Sequence, residues 1–355
     1  MASFGTVLKV IGGGVAGAFF YHFFTHDNNN DQQINNGENI SNINLRNSRN
    51  RITTSSSGSQ SQLDYGTHNL IDLLQNTLIE YILCDETSHV ITIDSQATLD
   101  YALMRMNESN VTSLPIVDLQ HKKYIGMLSI IDICSFLGQF TNSDSPNTPV
   151  GDVLKYNREP FLPLYVNSPI QLLIHIMTHV PQVPIYASSS ETIVVDIVSR
   201  LNVIKFIHEN IEDLGLKSNA SIKSLGLLSK QICSIDSDSR VIDAINLLNS
   251  EQVTEIAVIN KEGKLIGTFS ASDLRKLSIY TFNQCYEPIN KFVKLDQDQL
   301  IVVSPSSSLS QTIKKFVENN AQICWIVDNQ MKPISSITQL SLMKYFLNLS
   351  TSFIE

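Results

Sequence analysis

Two stretches of this 355-residue chain hold a serine and an aspartate three positions apart where a strand gives way to a helix. In GMLSIIDIC they are Ser129 and Asp132; in GTFSASDLRKL they are Ser270 and Asp273. Two chemistries fit this spacing. In the first, the serine hydroxyl accepts a bond from an orphan helix amide, and the acid lies in the positive first turn. In the second, a carboxylate at a helix start accepts hydrogen bonds from two adjacent hydroxyls, such as those of a ribose. Looser versions occur at Ser199 with Asn202 and at Ser336 with Gln339, so capping alone covers four places.

The elements that position these residues recur at about 70 residues, which indicates internal duplication. Each copy reads as an amphipathic helix, a short strand, a turn, a second strand and a closing helix. The copies are expected at 75–139, 149–210, 220–281 and 286–348. The first helices, TLDYALMRMNES, SPIQLLIHIMTH, SRVIDAINLLNS and SLSQTIKKFVEN, repeat apolar residues every three to four positions. Ser168 followed by Pro169 reads as a cap and a first-turn proline. The strands LPIVD, VPIYA, IAVIN and CWIVD are followed by YIGMLS, IVVDIVS, LIGTFS and KPISS. Aligning the copies puts Asp132, Asn202, Asp273 and Gln339 in register.

SLPIVDLQHKKYIGMLSIIDI and EIAVINKEGKLIGTFSASDL resemble the cystathionine-β-synthase (CBS) domain, with its LPVVD-like strand and Gly-x-x-Thr/Ser-x-x-Asp corner. Four tandem copies resemble the γ regulatory, nucleotide-sensing subunit of the AMP-activated/SNF1 protein kinase family. The resemblance implies an α/β (α+β) fold of tandem CBS repeats, two pairwise-packed modules forming a pseudo-symmetric disc. It also implies energy sensing through AMP, ADP, ATP or adenosine in clefts between repeats, with Ser/Thr kinase catalytic and scaffold subunits as partners. Carried onto this chain, it assigns ribose contact to Asp132 and Asp273, a weaker version to Asn202, and a degenerate site to Gln339. Ser129, Ser199 and Ser270 would help to hold phosphate.

On the phosphate side the chain departs from the family. Where several copies of the γ subunit carry Arg or His-Arg, this sequence has Thr112, Pro181 with Gln182, Glu255, and Gln322 with Ile323. Arg200, Lys205, Arg275, Lys276 and His179 lie near the corners and could compensate or be solvated surface. The residues therefore favour adenosine-type pockets over tight ATP sensing. The competing expectation is a scaffold or membrane-tethered interaction protein with degenerate sites.

Composition narrows the remaining classes. A formal net charge of -9 gives no support to nucleic-acid binding through the phosphate backbone. The five cysteines form no CxxC pair and read as reduced core residues, not as a zinc site. No HExxH, GxSxG, Walker or kinase signature is present, so a non-enzyme without an obligate cofactor or metal is expected. Residues 1–26 are apolar, with Gly13 and Gly17 in GxxxG spacing, and read as a candidate membrane anchor on an otherwise cytoplasmic protein. Residues 27–67, rich in Asn, Ser and Gln, read as a disordered linker.

Overall fold

The computed structural model describes residues 65–83, 90–120, 123–140, 145–156, 160–188, 191–229, 231–278 and 280–351. The apolar segment 1–26 and most of the linker 27–67 lie outside them. The last linker residues open a helix, Tyr65–Asn76.

Four copies of one pattern follow. The first consists of β1 (Ile93–Asp94), a helix Leu99–Glu108, β2 (Ser113–Asp118), β3 (Lys123–Ser129) and a helix Ile130–Phe140. The second has β4 (Leu164–Tyr165), a helix Ile170–Met177, β5 (Gln182–Ser188), β6 (Glu191–Ser199) and a helix Arg200–Glu209. The third has β7 (Ser234–Asp236), a helix Val241–Glu251, β8 (Glu255–Ile259), β9 (Leu265–Ser270) and a short 3-10 stretch Ala271–Lys276. The fourth has a helix Leu309–Glu318, β10 (Ile323–Val327), β11 (Pro333–Thr338) and a helix Gln339–Thr351. In the first three copies the opening strand runs parallel to the second, which pairs antiparallel with the third. In the fourth, a single parallel bridge from Val302 to Trp325 takes the place of the opening strand.

Local sequence accounts for these elements. In Leu309–Glu318, Leu309, Ile313 and Phe316 are fully buried on one stripe, and Ser308 caps the start by accepting from Gln311 N at 3.1 Å. In β9 burial alternates, with Leu265, Gly267 and Phe269 inward. Two expectations need correction. Ser168 does not cap its helix; its hydroxyl accepts from Tyr165 N at 3.3 Å, and Pro169 is the capping residue. The closing helix of copy 3 is only a 3-10 stretch ending at Lys276. Beyond it, Ser278 N donates to Thr281 Oγ1 at 2.9 Å, so a local side-chain bond replaces the next helical turn.

Consecutive copies exchange their leading segments. Ile79 N donates to Ser168 O and Ile170 N to Thr77 O, so the start of copy 1 lies against the first helix of copy 2. Reciprocally, Val150 N donates to Ala97 O and Leu99 N to Thr148 O. Copies 3 and 4 repeat the arrangement through Ile222 N to Ser307 O, Leu309 N to Ala220 O, Val241 N to Glu287 O and Ile289 N to Ser239 O. The helices obey a second rule. One core joins copies 1 and 3, with Leu103, Ile133 and Leu137 beside Ile245, Leu248 and Leu274. The other joins copies 2 and 4, with Ile174, Ile204 and Ile207 beside Ile313, Leu342 and Phe346. Polar ties reinforce the first seam: Asn249 Nδ2 donates to Cys134 O at 2.8 Å, and Arg275 Nη1 to Asn110 Oδ1 at 2.9 Å.

Cys134, Cys285 and Cys324 are free and buried, and Cys233 is free and half-buried. Burial pushes the Cys285 and Cys324 thiols up to about 12, which keeps them protonated and inert.

Candidate functional site: the strand–helix corners and the central cleft

The serine–acid corners are helix caps. In copy 1, Ser129 N and Ser129 Oγ donate to Asp132 Oδ2 at 2.9 and 2.7 Å, while Asp132 N donates back to Ser129 Oγ at 3.2 Å. Asp132 has 0% exposure. Copy 2 repeats the box with Ser199 and Asn202, whose Oδ1 accepts from Ser199 N at 2.9 Å. In copy 3, Ser270 N donates to Asp273 Oδ2 at 2.9 Å, and Lys276 Nζ pairs with Asp273 Oδ1 at 2.8 Å. Copy 4 corrects the register read from sequence. Its box is Thr338 with Ser341, through Thr338 N to Ser341 Oγ at 2.8 Å and Ser341 N to Thr338 Oγ1 at 3.1 Å. Ser336 lies inside β11 opposite Trp325, and Gln339 Nε2 donates to Ala321 O.

The motif glycine has its own cause. A Cβ on Gly267 would stand 2.5 Å from Leu295 Cδ2, and one on Gly126 would stand 3.1 Å from Leu154 Cδ1. Leu154 and Leu295 belong to the leading segments of copies 2 and 4, so the missing Cβ lets those segments approach the strands closely.

A cleft of about 1020 Å³ opens where the four copies meet. Thr112, Ser129, Ser199 and Arg200 line it; Asp132, Asn202, Ser270 and Asp273 do not. The structure thus brings together four of the eight residues read from sequence and holds the other four in or beside the caps. Arg200 Nε donates to Met177 O at 2.8 Å, which anchors the guanidinium through its Nε edge. His179 and Lys344 add basic groups from copies 2 and 4, and Glu255 adds a carboxyl from copy 3. Desolvation, and then the neighbouring Asp273 charge, pushes the half-buried Glu255 up to about 8 against an opposing bond from Ser270. Sequence reasoning missed Lys344, Thr338 and Ser341 as cleft residues. Lys344 gives no local signal, and the serine and threonine needed the β11 register.

Between copies 1 and 2, Gln182 fills much of the gap. Its Nε2 donates to Thr112 Oγ1 at 2.9 Å and its Oε1 accepts from the Ser113 hydroxyl. The cavity left there, lined by Met127, Ser129, Gln182 and Pro184 among others, is about 10 Å³, on the scale of one water. Among the described residues, no group of three or more His, Cys, Asp or Glu is placed to hold a metal ion. Nor is any helix among them long and apolar enough to cross a membrane.

Residues 84–139, 222–280 and 294–348 match the CBS domain, and the chain is built of tandem βαββα CBS-like modules. It is similar to protein sds23 of Neosartorya fischeri, at 27% identity over 158 residues, covering 40% of this chain and 29% of that protein. It is also similar to protein SDS23 of Eremothecium gossypii, at 25% identity over 289 residues, covering 68% of this chain and 58% of the relative. The chain therefore spans less than two thirds of the length of either. Among solved structures, its fold is like that of protein MJ1225 from Methanocaldococcus jannaschii, proposed as an archaeal homologue of γ-AMPK. The TM-score is 0.61 at 20% identity, covering 76% of this chain and all of that one. The CBS architecture is consistent with a non-catalytic, regulatory protein.

Proposed function

We propose that this chain is a regulatory subunit that binds an adenosine-class ligand (AMP, ADP, ATP or adenosine) in the central cleft. Occupancy would be passed to a partner, in the manner of the γ subunit of AMP-activated/SNF1-type kinase. The observation that carries the reading is the convergence of Ser129, Ser199 and Arg200 on one cleft where four copies meet. A ligand touching several copies changes their relative packing, and that is a coupling free energy a partner can sense. Arg200 and Lys344 are the two Arg or Lys side chains among the lining residues, so one phosphate suits the cleft better than three. Calorimetric titration of the full chain with the four ligands tests the proposal. Binding in the millimolar range or tighter is expected, with Arg200→Ala weakening AMP by about 10-fold or more through one lost charge-assisted bond. No heat from any ligand at millimolar concentration would refute it.

A second reading, a scaffold with degenerate nucleotide sites, draws support from Asp132, whose Oδ2 is committed to Ser129 and whose side chain is fully buried. Recovery of a Ser/Thr kinase catalytic subunit with the tagged chain favours the sensor; a silent calorimeter with other partners bound favours the scaffold. Cytoplasmic placement completes the proposal, with membrane association through residues 1–26 as its alternative. Cell fractionation with and without those residues separates the two.

A further inference from the structure

The four copies are matched by the residue opposite each cap: Ser113, Gln182, Glu255 and Ile323 pair with Ser129, Ser199, Ser270 and Thr338. Two residues further along the same strands stand Pro115, Pro184, Ala257 and Trp325. Three are compact, and the fourth is the largest side chain and the single tryptophan of the protein. Two residues before the caps of copies 1 and 3 stand Met127 and Thr268. In the 1/2 pair, Pro184 and Met127 line the small cavity between copies. In the 3/4 pair their counterparts touch, for Trp325 Nε1 donates to Thr268 Oγ1 at 2.8 Å. The indole is 2% exposed and packs on Ala257 and Leu265 as a small cluster separate from both main cores. Trp325 also lines the central cleft.

A flat bicyclic ring, enclosed by aliphatic side chains and tethered by one N–H to a hydroxyl, is the footprint of a planar nitrogen heterocycle. We propose that Trp325 is the resident occupant of a planar-ligand pocket between copies 3 and 4, and that this pocket is closed in the native chain by its own side chain. The protein then binds ligand asymmetrically, with the 3/4 pair self-filled and the central cleft left as the open position. Removing the ring would leave a recess off the cleft with an apolar wall and the Thr268 hydroxyl in place, a shape and polarity suited to an aromatic molecule bearing one N–H. From the functional reading the proposal takes only the openness of the central cleft. Its test does not require that cleft to bind adenine.

The test uses full-length Trp325→Ala with indole as the probe, read by thermal unfolding. The variant should melt below the native chain, and indole should raise its Tm by several degrees while leaving the native Tm unmoved. Adenosine should then stabilise the variant more than the native protein. A folded variant whose Tm responds to neither indole nor adenosine overturns the proposal and leaves Trp325 as a packing residue alone. Should Trp325→Ala fail to fold, Thr268→Val keeps the ring and removes its tether. The lone tryptophan should then emit further to the red and be quenched more by acrylamide. Emission and quenching equal to those of the native chain would overturn the proposal as well.

Discussion

Gln182 reaches from copy 2 into copy 1, where its Nε2 donates to Thr112 Oγ1 at 2.9 Å. The bond, with its companion from Ser113, ties copies 1 and 2 together across their seam. Gln182→Ala should therefore cost about 1–2 kcal/mol of stability, measured by urea unfolding, as two neutral hydrogen bonds are lost. The same change should widen the cavity beside Pro184, and a tighter response to adenosine in calorimetry would show the gap in use.

The two aspartates of the opening motif should differ. Asp132 is fully buried in its box, whereas the Asp273 side chain keeps 21% exposure beside Lys276. Asp132→Ala should cost about 2–3 kcal/mol, because it leaves the buried Ser129 amide and hydroxyl without an acceptor, and Asp273→Ala about 1 kcal/mol. Equal losses in denaturant titrations would contradict the burial difference.

Gly267→Ala should destabilise by about 1–3 kcal/mol through overpacking, since the new methyl would sit 2.5 Å from Leu295 Cδ2. Gly126→Ala meets Leu154 at 3.1 Å and should cost less. Adding Leu295→Ala to Gly267→Ala should recover part of the loss, and purely additive effects would rule out the proposed clash.

Glu255 should impose a pH dependence of known sign. Its carboxyl is raised from 4.5 to about 8, so between these values the folded chain holds a proton that the unfolded chain has released. Stability contributed by this group is therefore present at low pH, declines as pH rises towards about 8, and levels off above it. Glu255→Gln should flatten the decline and raise Tm relative to the native chain at pH 8–9. Parallel Tm–pH curves for the two proteins would exclude a proton held by Glu255.

Much of the architecture was legible because helices and strands carry their own periodicities. Leu309, Ile313 and Phe316 mark a buried stripe, and LPIVD with its counterparts marks the second strand of each copy. The failures share a cause. Ser336 with Gln339 and Thr338 with Ser341 have the same spacing, and only the pairing of Ile323 with Thr338 shows where β11 ends. The corner aspartates were legible as caps, but the full burial of Asp132 is a tertiary property that the spacing of serine and acid does not carry. Trp325 read simply as a strand residue, because nothing local to CWIVD foretells a threonine 57 residues upstream as its partner. Lys344 reaches the cleft for the same non-local reason.

The exchange of leading segments also bears on synthesis. Copy 1 lacks one wall until Thr148 and Val150 have left the ribosome to pair with Leu99 and Ala97, and copy 3 must likewise wait for Glu287 and Ile289. The smallest piece able to fold during translation is thus a pair. A truncation placed between copies, at the boundary the repeats themselves advertise, would strand an unpaired edge where its neighbour's first residues belong.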